Sequence, residues 1–311
     1  MTSAAPAIEA TALRRAFGAT IAVADLSLEV APGEIYGLVG PDGAGKTTTL
    51  RMIAGLLDPS GGTVRLVGRD PFSDDVAVRE ALGYMPQQYS LYGDLTVAEN
   101  LAFFRELYCL GRDAFRARRD RLLAITRLAP FRERRADALS GGMYKKLALA
   151  CALLHAPEVL LLDEPTNGVD PVSRRELWDL LHEFLDEGVA IVITTPYMDE
   201  AARCHRAGLL FEGRLLEEGT PTDMLRAFPH PAFEVRGERA RVEPVVESDP
   251  DVLAFTPAGD RLRIVVRGAR EARVLSALSD AGATATPMTP TFEDLFLARA
   301  RERAEAATGA S

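Results

Sequence analysis

The sequence holds only three cysteines among 311 residues, Cys109, Cys151 and Cys204, far apart and in no CxxC or Cys/His spacing. That excludes a disulfide framework and a thiolate zinc site, and leaves all three as small buried hydrophobes. Lysine is equally scarce. Of 36 basic residues three are lysines, Lys46, Lys145 and Lys146, so arginine serves almost everywhere else. No apolar run approaches the roughly 18 residues of a membrane span, and the opening MTSAAPAIEATALRR lacks a basic segment followed by an apolar one. The expectation is a soluble, cytoplasmic chain. Basic residues are also outnumbered by 45 acidic ones, for a net charge of −9, which argues against a broad nucleic-acid-binding face because phosphate affinity needs clustered cations. What is present, 47% hydrophobic and 26% charged residues, lies in the ordinary globular range and excludes a disordered or collagen-like chain.

The length exceeds what one core usually organises, so one large domain and one smaller one are expected. Up to about residue 226, strand-like and helix-like stretches alternate, as in LSLEV, EIYGLV and TTLRMIAGLL, which reads as α/β. From Thr96 to Arg127 the period is helical throughout, predicting a helical subdomain over about residues 90–155. Strand signals return at VLLLDEP and VAIVITT. The segment AFPHP, residues 227–231, reads as a linker because its prolines resist helix continuation. Residues 232–300 then read as a small α+β domain of order βαββαβ with a terminal helix, and 301–311 as a fraying tail.

The segment GPDGAGKTT comprises Gly40, Pro41, Asp42, Gly43, Ala44, Gly45, Lys46, Thr47 and Thr48, and it follows an apolar strand and opens a helix. That context is the one a phosphate-binding P-loop requires. Glycines let backbone N–H groups turn towards phosphate oxygens, the helix N-terminus adds partial positive charge, and Lys46 can reach the β- and γ-phosphates of ATP. Thr47 would hold Mg²⁺. A Mg²⁺-nucleotide site also needs a carboxylate at the end of a neighbouring buried strand, and VLLLDEP supplies Asp163 for the metal and Glu164 to polarise a water. Read alone, such an acid pair is commonly just a solvated strand end; beside a P-loop it reads as a site.

The stretch LSGGM, Leu139, Ser140, Gly141, Gly142 and Met143, followed by a helix and VLLLDEPTNGVDP, resembles the ATP-binding cassette (ABC) ATPases of membrane transporters. The resemblance implies an α/β P-loop NTPase fold with a helical subdomain, and ATP hydrolysis to ADP and phosphate. It implies that Ser140 and the Gly141 and Gly142 amides face ATP held by a second cassette, in a homodimer or heterodimer. By the same resemblance Phe17 would stack on adenine. Gln87, with Gln88 as competitor, would reach Mg²⁺ and the attacking water, making Lys46, Gln87 and Glu164 catalytic and Thr47, Gln87 and Asp163 metal-binding. Asn167, Gly168, Val169 and Asp170 would contact the opposite cassette, although Asp170 before Pro171 also reads as a helix N-cap. Lys145 and Lys146, one turn into the signature helix, read as a solvated face.

Three positions depart from the family pattern. Pro196 stands where a histidine usually contacts the γ-phosphate, Asp42 replaces an asparagine, and Met143 replaces a glutamine. Only the proline threatens the chemistry, since losing a polar contact to a transferring phosphoryl group can slow turnover by about 100 to 1,000-fold. His205, nine residues on, reads as the far end of a helix and is a poor substitute. The resemblance further implies separate transmembrane permeases docking on a groove near Tyr89, Leu91, Tyr92 and Leu95, residues that read equally as core. The C-terminal portion is similar to the extension on export cassettes whose ABC-2 type permeases have about six spans each. Efflux is therefore expected, with the cassette peripheral on the cytoplasmic face of the membrane. A regulatory, weakly hydrolysing subunit paired with an active cassette, or a non-transport soluble ABC ATPase, are the alternatives.

Overall fold

The computed structural model describes residues 5–88 and 91–309. The chain divides into two compact units. The first runs up to Tyr197 and takes in Cys204–Arg206 and Leu210–Leu215; the second comprises Met198–Arg203, Ala207–Leu209 and the chain from Leu216 onward.

In the first unit β1 (Ile8–Phe17) and β2 (Thr20–Val30) run antiparallel. Next come β3 (Ile35–Val39), α1 (Lys46–Ile53) and β4 (Gly61–Leu66), and β4 pairs with β1 to give a sheet in order β2-β1-β4. After α2 (Val76–Ala81) and β5 (Leu82–Met85) the helices α3 (Val97–Leu107), α4 (Arg112–Ile125) and α5 (Gly141–Leu153) form the helical stretch. Then β6 (Val159–Asp163), α6 (Pro171–Leu185) and β7 (Ala190–Thr195) restore the α/β alternation.

Every residue of IYGLV, VLLLD and AIVITT in β3, β6 and β7 is buried, which is why these strands read as unbroken apolar runs: they are covered on both faces. They pair in parallel, β5 to β6, β6 to β7 and β7 to β3, with Met85 opposite Leu162, Asp163 opposite Thr194 and Val39 opposite Thr195. The strands thus end level. Gly40, Glu164, Pro196 and, two residues beyond β5, Gln87 emerge along one carboxyl edge, where α/β sheets place their ligands.

The helical stretch is not continuous, as its period suggests. It breaks between α3 and α4, where Cys109 adopts a φ of 52° that a helix cannot hold. A capping box of Thr96 and Glu99 starts α3. Leu101, Leu122, Leu147 and the fully buried Trp178 share one apolar cluster, so α3, α4, α5 and α6 are packed as a group.

The strands β8 (Arg206–Phe211) and β9 (Arg214–Gly219) straddle the division between the units. In the second unit α7 (Pro221–Ala227) precedes β10 (Ala232–Arg236), α8 (Arg239–Ser248), β11 (Val252–Ala258), β12 (Arg261–Val266), α9 (Glu271–Asp280), β13 (Thr284–Met288) and α10 (Phe292–Gly309). The segment from β10 to β13 is therefore a βαββαβ module on an antiparallel sheet of order β11-β12-β10-β13. Val242 and Val246 of α8 and Val274 and Leu278 of α9 join the sheet residues in one core.

Two sequence expectations are corrected here. The compact division does not fall at a linker over 227–231, since α7 belongs with the second unit, as does the 3-10 turn Met198–Arg203 that packs against α10. Leu295, Phe296 and Ala298 of α10 are buried, and an apolar helix face must find cover wherever the chain offers it. Nor does the chain fray at residue 301, because α10 continues to Gly309. Its Ala, Arg and Glu residues favour helix, Arg301 pairs with Glu305 at 3.3 Å one turn on, and Arg267 reaches Glu305 at 2.8 Å.

Candidate nucleotide site

After β3 the chain turns through Gly40 to Gly45 and enters α1. Gly45 is the N-cap of α1 with a φ of 105°, and a Cβ there would lie 2.4 Å from the Ala22 carbonyl oxygen, so conformation and space both require glycine. Lys46 is buried. Its Nζ donates to the carbonyls of Gly40 at 2.8 Å and Pro41 at 3.0 Å and pairs with Glu164 Oε1 at 3.0 Å. A cavity of about 270 Å³ opens over this turn, lined by Asp42, Gly43, Lys46, Thr47, Gln87 and Glu164 among others. A glycine-rich turn, a helix N-terminus and a held ammonium around one cavity are the features that suit an anion of polyphosphate type. The Asp42 carboxylate is 90% exposed and 3.9 Å from Lys46, so this departure from the usual asparagine points into solvent.

The two acids after β6 have separate environments. Thr47 Oγ1 donates to Asp163 Oδ1 at 3.0 Å and Thr194 Oγ1 donates to the same oxygen at 2.8 Å, while Asp163 Oδ2 is buried with no hydrogen-bond partner. Burial pushes the Asp163 carboxyl above the usual carboxylate range, against the two hydroxyls that favour its charged form. Glu164 has a φ of 48°, a left-handed conformation that costs a β-carbon residue energy and persists only where surroundings fix it. Those surroundings are explicit. Glu164 N donates to Thr194 Oγ1 at 3.0 Å, and Glu164 Oε2 accepts from Gln87 Nε2 at 2.8 Å and from Asn167 Nδ2 at 3.2 Å.

Gln87, Lys46, Thr47, Asp163 and Glu164 thus converge, and Gln87 rather than the exposed Gln88 lines the cavity. Phe17 is 49% exposed at the end of β1, under the Arg15 guanidinium at 4.7 Å, so it is not a core residue, and it does not line the cavity. The signature segment lies elsewhere. Ser140 is the exposed N-cap of α5, accepting from Met143 N at 3.3 Å, while Leu139 and Met143 pack on the core. Asp170 caps α6, accepting from the Val172 and Ser173 amides. Asn167, Gly168 and Asp170 are exposed, and Val169 is buried.

Lys145 and Lys146 do not form a solvated face. Lys146 is buried and paired with Glu176, and Lys145 Nζ donates to the Gln87 carbonyl at 3.0 Å. The helical period places them outward only if nothing covers those faces, and here the Gln87 segment covers Lys145 while Glu176 of α6 meets Lys146. His205 is excluded as a substitute for a γ-phosphate contact: its Nδ1 accepts from Ile35 N at 3.1 Å, at the end of β3 remote from Gly40. At Pro196 no side-chain donor exists. The neighbouring Tyr197 hydroxyl lies 3.4 Å from Asn167 Oδ1, and the Arg174 guanidinium covers the Tyr197 ring at 4.2 Å.

Sequence reasoning missed Thr194 as a neighbour of both acids. The signal for Thr194 was present: two hydroxyl residues closing a strand whose other residues are apolar need partners when buried.

A family model described as ABC transporter matches residues 23–167, which include the P-loop, signature and acid pair. The chain is 37% identical to Nod factor export ATP-binding protein I of Cupriavidus metallidurans over 92% of this chain and 94% of that protein. The chain belongs to the ABC transporter family, in its ATP-binding subunit class. It is also 42% identical, over 89% of its own length, to the probable multidrug ABC transporter ATP-binding protein YbhF of Escherichia coli, of which it spans 48%, about half. Among solved structures it is similar to the dimeric post-hydrolysis state of the ATP-binding cassette MJ0796 bound to ADP and Pi, at 25% identity and a TM-score of 0.62, covering 68% of this chain and 98% of that one.

Proposed function

We propose that this chain binds and hydrolyses Mg-ATP as the cassette of an ABC exporter, working as a dimer with a second cassette and driving efflux through separate ABC-2 type permeases. The observation that carries the reading is the convergence of Lys46, Thr47, Asp163, Glu164 and Gln87 at one sheet edge, with Glu164 Oε2 2.8 Å from the Gln87 amide. Lys46 would hold the β- and γ-phosphates, and Glu164, oriented by Gln87 and Asn167, would accept the proton of the attacking water. Thr47 and the partnerless Asp163 Oδ2 fit a divalent cation, since a hard ion would satisfy that buried oxygen. Bound there, Mg²⁺ would neutralise charge on the transferring phosphoryl group.

The names of the relatives, a multidrug transporter subunit and a Nod factor export subunit, support export as the task. No helix among the described residues is long and apolar enough to cross a membrane, which fits a cassette seated on the cytoplasmic face beside separate spans. Tyr92, 49% exposed, is the most open of the residues assigned to permease docking; Leu91 packs on the core, and Tyr89 lies outside the described residues. We assign nucleotide binding to the first compact unit, and the extension to the βαββαβ module of β10 to β13. Pro196 supports slow turnover by the isolated chain, or service as a weakly hydrolysing partner of a second cassette. ATP titration tests the core of the proposal. Lys46→Ala should abolish binding, whereas Glu164→Gln should preserve it and accumulate an ATP-bound dimer; equal ATP affinity for wild type and Lys46→Ala would sink the site assignment.

A further inference from the structure

The Gln87 amide meets Glu164 although Gln87 sits outside regular structure, so something other than backbone pairing must aim it. Two contacts do so, and both come from adjacent residues in the first turns of α5. Lys145 Nζ donates to the Gln87 carbonyl at 3.0 Å, and Leu91 N donates to Tyr144 Oη at 3.3 Å. Just beyond, the Asn100 side chain fixes Tyr92 by accepting from its N–H and donating to its carbonyl, each at 3.0 Å. Gln87 and Leu91 are thus each tied to the signature helix, and Tyr92 to α3.

The lysine is placed to respond to the site. Burial holds the Lys145 ammonium below the usual lysine range, partly offset by the fields of Asp163 and Glu164. A half-buried ammonium binds a carbonyl more strongly than an exposed one because water competes less. The helix that carries Lys145 begins at Ser140, the exposed end assigned above to the nucleotide of the opposite cassette.

We propose that Tyr144 and Lys145 are positioning residues that clamp Gln87 and Leu91 to α5, so that the amide of Gln87 is held on Glu164 and movement of the signature helix is transmitted to it. This rests on the reading of the site as an ATPase. The clamp acts on where Gln87 points, not on phosphate binding, which Lys46 and the P-loop amides supply.

The test uses the full chain and three variants. Lys145→Met removes the donor while keeping the stem, Lys145→Arg restores a donor, and Tyr144→Phe removes only the acceptor for Leu91 N. Steady-state ATP hydrolysis should show kcat about tenfold lower in Lys145→Met with KM within about twofold, and recovery to within about threefold of wild type in Lys145→Arg. A second readout needs no turnover. In hydrogen exchange on the nucleotide-free chain, the Leu91 amide should exchange at least about tenfold faster in Tyr144→Phe. On adding a non-hydrolysable ATP analogue, the first turns of α5 should change their exchange in wild type and not in Lys145→Met. Unchanged kcat in Lys145→Met, equal loss in Met and Arg variants, or an α5 response that survives Lys145→Met would each overturn the clamp. If the wild type fails to bind ATP, the ATPase reading fails instead, and the Leu91 exchange result still judges the Tyr144 contact.

Discussion

His155 should make the first unit acid-sensitive well above the pH at which carboxylates titrate. The imidazole lies between β5 and the helices: its Nε2 is 3.0 Å from the Leu82 carbonyl, and its ring stacks on Tyr108 with centroids 3.8 Å apart. Its Nδ1 is buried without a partner. The neutral ring satisfies the carbonyl through Nε2–H, whereas protonation would bury a second N–H with nothing to receive it. Burial, with a smaller push from Arg118, lowers its pKa from 6.5 to about 4, against the Leu82 hydrogen bond that favours the charged form. The folded pKa is depressed, so the contribution to stability is complete above pH 6.5 and is lost as pH falls towards 4. At pH 5 the unfolded chain is almost fully protonated at this position and the folded chain hardly at all, which amounts to about 2 kcal/mol relative to pH 8. Trp178, the single tryptophan, shares the core cluster of this unit and reports its urea unfolding by fluorescence. Wild type should lose about 2 kcal/mol more than His155→Phe between pH 8 and pH 5, since the other histidines titrate in both. Equal losses would refute the argument, as would an imidazole resonance for His155 that titrates near 6.5.

Two further substitutions probe the site and its frame. Pro196→His should raise kcat for ATP by about 10 to 100-fold with ATP affinity little changed, because a contact made mainly in the transition state moves rate more than binding; an unchanged rate would mean that the proline does not limit turnover. Gly142→Ala should lower the melting temperature by a few degrees, about 1 to 3 kcal/mol, because its Cβ would lie 2.3 Å from Ser173 Oγ and 2.4 Å from Ser173 Cβ, which sits too near the backbone to swing away. A melting curve that overlays the wild type would show that α6 gives way freely.

Lys46, Thr47, Asp163 and Glu164, which the fold brings together, could be grouped from sequence because each belongs to a short contiguous segment whose spacing already contains the geometry. The βαββαβ order of residues 232–300 was legible for a similar reason, since alternating periods survive without knowledge of what they pack on. Lys145 was misread because its partner is a backbone carbonyl 58 positions away, and carbonyls carry no sequence signal. His205 was misplaced for a local reason: residues 198–203 carry helix-like composition yet form only a 3-10 turn, so His205 lies at the start of β8 and not at the end of a helix. The unit boundary was hidden because α10, at the end of the chain, covers residues 198–203, a pairing that no local window contains.

Glu164 is approached from four segments: Lys46 from α1, Gln87 from beyond β5, Asn167 from the turn before α6 and Thr194 from β7. The left-handed backbone costs of order 1 to 3 kcal/mol, about what one or two hydrogen bonds return, so the four contacts jointly cover it with a margin. The side chain is therefore fixed before any nucleotide enters, and its two oxygens divide the work: Oε1 faces Lys46, where a phosphate would compete for the ammonium, while Oε2 stays with Gln87 and Asn167. A ligand that draws Lys46 away releases Oε1 alone, leaving one free carboxylate oxygen on a carboxylate that is still anchored. Under the proposed ATPase reading, that arrangement would suit a general base, giving it a fixed direction and a lone pair that is freed only when phosphate draws Lys46 away.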